Sequence, residues 1–356
     1  MSQSSDIPSI CINGRDISVR GRAYVIAEIS ANHQQDFAKA VQLVEAAKAA
    51  GADAVKLQTY TADTITIASD RSEFSIGTGT IWEGRTLHDL YQEAYTPWEW
   101  QPKLKTLAEG LGLDCFSSPF DATAVEFLEK MRVPAWKIAS FELVDLPLIR
   151  LVARTGKPVI ISTGMASLEE ISDAVEAARG AGCTQLALLK CTSSYPARFD
   201  EMNLRTIPDL VARFAVPVGL SDHSPGSAVP VAAVALGACI IEKHIILSRA
   251  DGGPDAPFSL EPAEFQRLVE DVRAAEQALG RVSYEVSETE AASRVFRRSL
   301  FAVKDIAAGE EFTAQNVASI RPAHGLPPKV LDQVLGRHAA VAVERGTPLA
   351  WPMIQP

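Results

Sequence analysis

The predicted fold is decided by the stretch from Pro217 to Asp255, PVGLSDHSPGSAVPVAAVALGACIIEKHIILSRADGGPD. Within it the apolar run PVGLS predicts a strand, SPG interrupts that run, and SAVPVAAVALGA has the small apolar residues of a buried helix. The run CIIEKHI is rich in β-branched residues and predicts a second strand. A strand, a helix and a strand in this order indicate a parallel pair of strands joined by a crossover helix.

Similar runs occur along most of the chain before this stretch. Eight strand-like runs alternate with helix patterns over about 250 residues, which predicts a (β/α)8 TIM barrel. The runs begin near Tyr24, Ala54, Leu113, Ala135, Pro158, Gln185, Pro217 and Ala238. A doubly wound open sheet fits less well, because no GxGxxG motif follows the first run. Before the barrel, residues 8–20 with the turn pair Asn13-Gly14 predict an N-terminal β-hairpin.

Residues at several predicted helix starts are typical N-caps. Asp36 precedes FAKAVQLVEAAKAAG, and Asp121 precedes ATAVEFLEKM. The segments 96–99 (TPWE) and 167–170 (SLEE) place a hydroxyl at the N-cap and a carboxylate at N3. These two segments therefore predict capping boxes.

One connection is much longer than the others. The second and third strand-like runs begin about sixty residues apart, whereas a plain barrel repeat needs about thirty. The surplus, Tyr60 to Arg85, contains apolar or aromatic side chains at Ile65, Ile67, Phe74 and Trp82. Long loops of this kind are usually functional. We expect this loop to cover the substrate with an apolar wall.

The chain divides into a large and a small predicted domain. Residues 1–280 form the barrel domain with its hairpin, because the last barrel helix, PAEFQRLVEDVRAAEQALG, ends there. Residues 281–294 are polar and acidic and predict a linker. Residues 295–356 contain short strand patterns, AAGE and ERGT turns and several prolines, which predict a compact second domain. A domain of this size has a small core and gains stability by docking on another surface.

The composition is that of a globular enzyme, with 47% hydrophobic and 22% charged residues. The formal net charge of -10 argues against nucleic acid and against an anionic membrane as partners. The five cysteines form no CxxC pattern, as expected for reduced thiols in a cytoplasmic protein. No run is long and apolar enough for a membrane span, and the polar start MSQSSD does not resemble a signal peptide.

Two histidines stand at the C-terminal ends of consecutive predicted strands. His223 follows PVGLSD, and His244 ends CIIEKH, where Glu242 shares its face by the two-residue period. Adjacent parallel strands would bring the two imidazoles together at the rim where barrel enzymes have their active sites. Two neutral imidazoles with open positions suit a divalent transition metal that also holds water or substrate. The alternative is that each is an ordinary hydrogen-bonded histidine.

Three lysines, Lys56, Lys137 and Lys190, interrupt apolar runs near the same rim. A buried ammonium group needs a partner charge. Glutamates near the strand ends supply part of it: Glu28, Glu142 and Glu242. A bound phosphate or carboxylate would supply the rest, with Ser and Thr hydroxyls as further donors. A Schiff-base lysine is the competing role, and the residues alone do not separate the two.

A series of motifs runs nearly from end to end of the chain: AEISANH, KLQTYT, FSSPFD, KIASFE, ISTGM, KCTSSYP, GLSDH, EKH, GGPD, FRRSL and IRPAHGLPP. With these motifs the chain, from Tyr24 onwards, resembles the sialic acid synthase family, which condenses phosphoenolpyruvate with an amino sugar to make a nonulosonic acid. KIASFE and TLHDLYQEAYTPWEW most resemble the pseudaminic acid synthase branch. Sialic acid synthases typically have KIGSGE at the first of these motifs.

The resemblance implies a role for each matching residue. His223 and His244 match ligands of a divalent metal, usually Mn²⁺, with Mg²⁺ or Co²⁺ possible. Glu28 matches the acidic residue close to the enolpyruvate carbon, as a base or as a charge stabiliser. Matches around the phosphoenolpyruvate carboxylate and phosphate are Lys56, Lys137, Ser140, Ser162, Lys190 and Ser221. Matches around the sugar are Gln58, Glu142, Tyr195, Asp255 and Ser193, the last where sialic acid synthases often have Asn.

The C-terminal segment resembles the antifreeze-like (SAF) domain of the family. Arg321 matches the arginine that this domain sends into a partner's active site, so the resemblance implies a domain-swapped homodimer. The alternative is that Arg321 is a surface residue folded back on its own barrel.

The implied reaction condenses phosphoenolpyruvate with a 2,4-diacetamido-2,4,6-trideoxy hexose of the altrose type, giving pseudaminic acid and phosphate. Synthesis of N-acetylneuraminic or legionaminic acid is the alternative within the family. A pyruvate aldolase on the same barrel is one alternative outside it. A glycan-binding protein that uses the antifreeze-like module is another. The glycan-binding alternative is disfavoured, because a barrel that only supports the binding module would not need lysines at its rim.

Overall fold

A computed structural model describes residues 8–356 of the protein, which consists of two compact units. The first unit extends to Gly280, and the second begins at Arg281. Within the described residues, no helix combines the length and the apolar character needed to cross a membrane.

The first unit contains a closed barrel of eight parallel strands, which confirms the predicted (β/α)8 barrel. In chain order the strands of this unit are β1 (Ser9–Ile12), β2 (Arg15–Ser18), β3 (Tyr24–Glu28), β4 (Ala54–Thr59), β5 (Asp114–Pro119), β6 (Trp136–Ile138), β7 (Val159–Ser162), β8 (Leu186–Cys191), β9 (Val218–Asp222) and β10 (Ile240–His244). The barrel comprises β3 to β10 and closes where β10 pairs with β3. Each barrel strand begins within about two residues of its predicted start.

The strands β9 and β10, which carry the two histidines at their ends, are hydrogen-bonded neighbours. Ser221 lies opposite Glu242 in their parallel register. Every residue of both strands is buried, because the interior of the barrel lies on one side and helices cover the other. A Cβ atom at Gly219 would come within 2.4 Å of the backbone oxygen of Ile240. Glycine is therefore required for the close approach of these two strands.

Helices connect the strands and cover the outside of the barrel. They are α1 (Phe37–Ala49), α2 (Ala62–Ile65), α3 (Leu87–Ala94), α4 (Gln101–Gly110), α5 (Ala122–Lys130), α6 (Leu146–Ala153), α7 (Leu168–Gly180), α8 (Thr206–Phe214), α9 (Ala228–Ala235) and α10 (Pro262–Leu279). The side chains of Asp36 and Asp121 cap α1 and α5 as predicted. Ser167 and Glu170 form the predicted capping box of α7.

The capping box predicted at residues 96–99 is wrong. A 3-10 turn, Trp98–Trp100, precedes α4 and has no side-chain cap. The hydroxyl of Thr96 instead lies 2.9 Å from Nε2 of the buried His33. Because a buried imidazole must find a hydrogen-bond partner, the hydroxyl is used there and not at the helix start.

The hairpin formed by β1 and β2 covers the N-terminal end of the barrel. Asn13 and Gly14 have φ angles of 47° and 79°, as a two-residue type I′ turn requires. Ile12 and Ile17 are buried in the core of the barrel unit. The side-chain amide of Asn13 donates to Asp114, at the start of β5, over 2.6 Å. With this end covered, the C-terminal rim is the accessible end of the barrel.

The connection between β4 and α4 contains the predicted long loop. We call residues 60–86 the insertion. It forms α2, a 3-10 turn at Ser72–Phe74 and a bridge between Ser75 and Thr86. Helix α3 follows directly. The insertion thus begins at the C-terminal end of β4, the end at which barrel enzymes have their active sites.

The second unit has a core of its own. Its helices and strands are α11 (Glu288–Ser293), β11 (Ser299–Ala302), β12 (Val317–Ile320) and α12 (Leu331–Val334). The two strands pair antiparallel, and Leu300 and Phe312 are fully buried in the core. Gly325 passes so close to β11 that a Cβ atom would lie 2.3 Å from the backbone oxygen of Leu300. The predicted linker, residues 281–294, contains α11.

Candidate active site

A cavity of about 300 Å³ opens at the C-terminal rim of the barrel, where the site was predicted. Most of the predicted site residues line it: Glu28, Lys56, Gln58, Lys137, Ser140, Glu142, Ser162, Tyr195, Ser221, His223, His244 and Asp255. These residues come from strand ends and from the loops that follow them. The structure therefore brings together side chains that are far apart in the sequence.

We call the strand-borne polar side chains of this cavity the floor: Glu28, Lys56, Lys137, Ser162, Ser221 and Glu242. At its centre, Lys56 Nζ lies 2.6 Å from Glu28 Oε2 and 2.8 Å from Glu242 Oε1. All three side chains are almost completely buried. The strand register produces this arrangement, because β10, β3 and β4 are consecutive neighbours and Glu28 is the residue opposite Lys56.

The floor stays charged near neutral pH. Burial lowers the pKa of Lys56 to about 8, although the charge of Glu242 opposes this shift. Burial alone would raise the pKa of Glu242, but the charges of Lys137 and Lys56 outweigh it and hold the carboxyl ionised. Oε2 of Glu242 is buried and has no hydrogen-bond partner among residues 8–356. One oxygen of this carboxylate is therefore free to accept a hydrogen bond from a ligand.

Lys137 is the second cation of the floor. Its ammonium group donates to Ser162 Oγ over 2.7 Å and to the backbone oxygen of Ile138 over 2.8 Å. Its one ion pair within the described part of the chain is a 4.0 Å contact with Glu242. The positive charge is thus only partly compensated, and an ammonium group beside a hydroxyl suits a phosphate or carboxylate.

His223 and His244 face each other across the β9–β10 pair, with ring centroids 5.5 Å apart. This confirms the predicted approach of the two rings. Nδ1 of His223 donates to the backbone oxygen of Thr192 over 3.0 Å, which leaves Nε2 as the nitrogen with a free lone pair. Nδ1 of His244 is buried and has no hydrogen-bond partner in the described chain. Burial, helped by the neighbouring His223, lowers the pKa of His244 well below its usual range, so that this ring is neutral.

These features fit a divalent ion held by two imidazoles. His244 is neutral and has an unused nitrogen, which is the form in which histidine binds metals. At His223 burial favours the neutral ring, but the neighbouring Cys191 sulfur outweighs it and raises the pKa, so a cation at Nε2 would displace a proton there. Within residues 8–356, no group of three or more His, Cys, Asp or Glu side chains is placed to hold a metal ion. The protein would therefore supply two ligands, and water or substrate would supply the others, as in an open catalytic site.

Aromatic rings surround the two histidines. The ring centroid of Tyr195 lies 4.4 Å from that of His223 and 4.9 Å from that of Phe258. Phe258 also packs edge-on against His244 at 4.9 Å. Burial raises the pKa of Tyr195, so its phenol remains a neutral hydrogen-bond donor. These rings limit access of water to the imidazoles and lower the local dielectric constant.

A short chain of hydrogen bonds connects β4 with the loops that follow β3 and β10. Gln58 Nε2 donates to Ser30 Oγ over 3.0 Å, and Ser30 Oγ donates to the carboxylate of Asp255. Asp255 Oδ2 lies 4.0 Å from His244 Nδ1. Burial raises the pKa of Asp255, although the bond from Ser30 opposes the shift. Gln58 and Asp255, both predicted as sugar contacts, are thus held in one network beside His244.

Apolar and aromatic side chains, which we call the mouth, line the outer part of the cavity: Ile65, Ile76, Trp82, Leu87, Leu90, Tyr91 and Phe120. All but Phe120 belong to the insertion or to α3. The predicted apolar wall is wrong at two positions. Ile67 follows the end of α2 and is 59% exposed, and Phe74 lies in a 3-10 turn that does not line the cavity.

Glu142 stands between the floor and the mouth. Its carboxyl is buried in the loop after β6, and Oε2 has no hydrogen-bond partner among the described residues. Burial raises its pKa to about 7, although the charge of Lys137 opposes the shift. In turn, the charge of Glu142 adds to burial in raising the pKa of Tyr91, a mouth residue.

Two predicted phosphoenolpyruvate or sugar contacts do not line the cavity. Side chains alternate along β8, and because Cys191 lines the cavity, Lys190 points away from the barrel interior. The Lys190 ammonium group donates to the Cys191 backbone oxygen over 2.7 Å and lines a neighbouring cavity with Arg205. Ser193 does not line the cavity itself, but its Oγ lies 3.8 Å from Sγ of the cavity residue Cys191. The roles predicted for Lys190 and Ser193 stay predictions.

Arg321 lies in the second unit. It is exposed and follows the last residue of β12. Its predicted role concerns a partner chain and stays a prediction.

Several cavity residues were missed by the sequence reasoning: Ser30, Cys191, Phe258, Leu90 and Tyr91. The two-residue period of β8 was a usable signal for Cys191, because it places this side chain on the face opposite Lys190. No local signal places Phe258 or Leu90 in the site, because both reach it from loops and helices whose course depends on the whole fold.

Comparisons with known proteins show the family to which the chain belongs. The NeuB family matches residues 43–284, and the SAF domain matches residues 297–355. The chain belongs to the NeuB family. The resemblance to the sialic acid synthases, and to their antifreeze-like domain, is thereby confirmed.

Relatives of this NeuB-family chain include characterised synthases. It is 45% identical over 328 residues to the pseudaminic acid synthase of Campylobacter jejuni, covering 92% of this chain and 95% of that protein. It is 35% identical to the N,N'-diacetyllegionaminic acid synthase of Legionella pneumophila, covering 97% and 98%. The crystal structure of the N-acetylneuraminic acid synthetase of Leptospira borgpetersenii, obtained with citrate, superposes with a TM-score of 0.72 at 30% identity, covering 81% of this chain and 95% of that one.

Proposed function

We propose that this protein condenses phosphoenolpyruvate with a 2,4-diacetamido-2,4,6-trideoxy hexose of the altrose type, giving pseudaminic acid and phosphate. The observation that carries the proposal is the 45% identity with a pseudaminic acid synthase over 92% of the chain. The lower identity of 35% with a legionaminic acid synthase makes that product the alternative.

The floor supports phosphoenolpyruvate as one substrate. This substrate carries a phosphate and a carboxylate, and the floor offers the ammonium groups of Lys56 and Lys137 with the hydroxyls of Ser162 and Ser221. Ser140 adds a hydroxyl that accepts from the Gly164 N–H over 3.1 Å. Charge-assisted hydrogen bonds of this kind are the strong ones in proteins.

His223 and His244 would hold the divalent ion, with Mn²⁺ the first candidate and Mg²⁺ or Co²⁺ as alternatives. When bound, such an ion polarises the carbonyl oxygen of the open-chain sugar as a Lewis acid. The Thr192 carbonyl fixes the tautomer of His223 through the 3.0 Å bond from Nδ1. The aromatic rings of Tyr195 and Phe258 exclude water around both imidazoles.

The reaction forms a bond between C3 of phosphoenolpyruvate and the carbonyl carbon of the sugar. Positive charge then develops at C2, water adds there, and the C–O bond to phosphate breaks. Glu28 is suited to stabilise that charge, because Oε2 contacts Lys56 and Oε1 accepts from the Ser30 N–H over 2.8 Å. Oε2 makes no hydrogen bond in the described chain, but its ion pair with Lys56 and the bond at Oε1 hold the carboxylate in place, which favours charge stabilisation over a role as a base.

A Schiff-base aldolase is the less suitable function for this cavity. Schiff-base formation needs an unprotonated amine with a free path to a carbonyl carbon. Lys56 is paired with two carboxylates, and Lys137 donates to Ser162 and to a backbone oxygen. Neither ammonium group has the environment of a nucleophile.

The proposed function is tested by phosphate release from phosphoenolpyruvate with a panel of acetamido hexoses, with and without Mn²⁺. We expect metal-dependent release with the 6-deoxy diacetamido sugar, and a nonulosonic acid detected by mass spectrometry in equal amount. N-acetylmannosamine should react more slowly. The factor should be only about 10 to 200, because an apolar pocket discriminates weakly against a small difference in the substrate. Faster reaction with N-acetylmannosamine would contradict the substrate, and no release with any sugar would contradict the reaction.

The proposal includes a domain-swapped homodimer in which Arg321 completes the partner's site. In support, the segment IRPAHGLPP places the arginine between turn-forming residues. Its planar guanidinium suits an acetamide oxygen or a carboxylate. Residues 1–280 as the synthase domain, 281–294 as the linker and 295–356 as the SAF domain belong to the same proposal. A cytoplasmic location is also part of it, because all five cysteines are free thiols.

Complementation tests the swapped dimer. Arg321→Ala and His244→Ala chains should each be nearly inactive, and a mixture that has exchanged subunits should regain activity. One site of each mixed dimer then holds an intact barrel from one chain and an intact arginine from the other. A mixture that stays inactive, although native mass spectrometry shows mixed dimers, would place Arg321 in the site of its own chain.

A further inference from the structure

Trp82 joins the tip of the insertion, residues 66–84, to the rest of the barrel. Its indole N–H donates to the backbone oxygen of Pro254 over 3.0 Å. Within residues 8–356, this is the one hydrogen bond or ion pair that connects the tip to a residue outside 61–86. The adjoining Arg85 pairs with Glu93 of α3 at 2.7 Å, but Trp82 alone provides a polar contact from the tip itself to the loop after β10.

The ring of Trp82 makes a second contact, with the loop after β8. Its centroid lies 5.6 Å from that of Tyr195, in the loop after β8. Tyr195 in turn packs at 4.4 Å against His223. Through this contact the tip reaches the aromatic shell of one of the two candidate metal ligands.

The acceptor of the indole bond lies next to a residue of the sugar network. Pro254 precedes Asp255, which accepts from Ser30 and lies 4.0 Å from His244 Nδ1. Trp82 therefore connects three loops, those after β4, β8 and β10. The loop after β8 carries Tyr195, which packs against His223, and the loop after β10 carries Asp255, which lies beside His244.

We propose that Trp82 is the specificity-determining residue that latches the apolar mouth over the sugar. The N–H bond to Pro254 and the ring contact with Tyr195 hold Ile76 and the rest of the tip against the acetamido and deoxy groups of the substrate. The charged floor does not depend on these contacts, since its partners come from the barrel strands. This inference rests on the proposed function, because it assigns the outer part of the cavity to the sugar.

The test separates binding of the sugar from binding of phosphoenolpyruvate. Trp82→Ala should raise the KM for the sugar by about tenfold or more, because it removes a partly buried hydrogen bond together with an aromatic contact. The KM for phosphoenolpyruvate should stay within about twofold. Trp82→Phe keeps a ring beside Tyr195 and loses only the N–H, so its effect on the sugar KM should be smaller. Ile81→Ala is the matched control, because Ile81 is the preceding residue, is 45% exposed and does not line the cavity.

A fluorescence measurement gives a second readout. Addition of sugar to the phosphoenolpyruvate-loaded protein should change the tryptophan emission of the wild type, and this change should be absent in Trp82→Phe. If circular dichroism shows that Trp82→Ala is unfolded, the proposal is tested with Trp82→Phe alone. Its KM for the sugar and its tryptophan emission are then compared with those of the wild type.

The outcomes distinguish the latch from the reaction. An active wild type with an unchanged sugar KM in Trp82→Ala and in Trp82→Phe overturns the latch and leaves the proposed function intact. An equal rise of both KM values would show a general structural role, and also overturns it. A wild type that forms no product with any sugar overturns the proposed function, and the latch with it.

Discussion

The floor of the cavity is carried by strands of the barrel, whereas its mouth is carried mainly by one insertion and the helix after it. On the floor, Lys56 is held by two carboxylates at 2.6 and 2.8 Å, and its side chain is 5% exposed. At the mouth, the tip of the insertion is joined to the other loops by the indole of Trp82. The floor is thus fixed by the register of the barrel, whereas the tip of the insertion is joined to the loops after β8 and β10 by contacts of one side chain.

This difference separates the reaction from the choice of sugar. Charge that develops in a transition state is best stabilised by groups that are already in place before the reaction, and a buried ion-pair network supplies such groups. Discrimination among sugars that differ by a hydroxyl or an acetamide depends on the wall around them. Substitutions in the floor should therefore change the chemistry for every sugar, and substitutions in the mouth should change the preference among sugars.

The largest expected effect is at the histidine pair, and it tests whether the floor needs a metal. His244→Ala should lower kcat by about a thousandfold, since Lewis-acid polarisation contributes several kcal/mol. Binding of Mn²⁺, measured by isothermal titration calorimetry, should be lost as well. His88→Ala is the control, because His88 bonds to Asp63 over 2.9 Å and does not line the cavity. Near-full activity of His244→Ala in chelator would refute the metal assignment.

A smaller effect is expected at Lys137, and it tests whether the floor is the phosphoenolpyruvate site. Lys137→Ala should lower kcat/KM for phosphoenolpyruvate by about 10- to 100-fold, because it removes a charged hydrogen bond. The sugar KM should change much less. Lys190→Ala is the matched comparison, since Lys190 lies near the same rim but points away from the barrel interior. Equal loss of phosphoenolpyruvate affinity in both variants would place Lys190 in the phosphoenolpyruvate site together with Lys137.

The floor could be predicted from the sequence largely because strands obey a two-residue period. Polar residues that interrupt apolar runs, such as Lys56 and Lys137, must find partners at the strand ends. His223 and His244 follow the same rule, since each stands at a strand end. Lys190 differs from these two lysines, because the two-residue period of β8 makes Cys191 the side chain that faces the cavity. Its contact with phosphoenolpyruvate stays a prediction.

For the mouth, the sequence predicts where the covering loop lies, but not which of its side chains line the cavity. The excess length between β4 and β5 showed that a loop covers the site, but no period specifies which side chains of an irregular loop turn inward. Of the predicted wall, Ile65 and Trp82 line the cavity and Ile67 does not. The bond from Trp82 to Pro254 joins residues far apart in the chain, and nothing in the local sequence indicates it.

The smallest expected effect is at Glu142, on the boundary between floor and mouth. Burial raises the pKa of its carboxyl to about 7, against the opposing charge of Lys137. The unfolded chain releases this proton at about pH 4.5, whereas the folded protein keeps it until about pH 7. Between these values the folded state binds more protons than the unfolded state, so stability must fall as pH rises.

Glu142→Gln removes this titration and keeps the shape of the side chain. At pH 5, where the wild-type carboxyl is mostly protonated in the folded state, the two proteins should have similar free energies of unfolding. At pH 8 the variant should be more stable by on the order of 1–3 kcal/mol, since each unit of pKa shift corresponds to about 1.4 kcal/mol. Urea denaturation of both proteins at several pH values between 5 and 8 measures the difference. A difference that does not change with pH would mean that Glu142 is ionised at every pH tested. The charged side chains of the cavity would then include Glu142 as well as the floor.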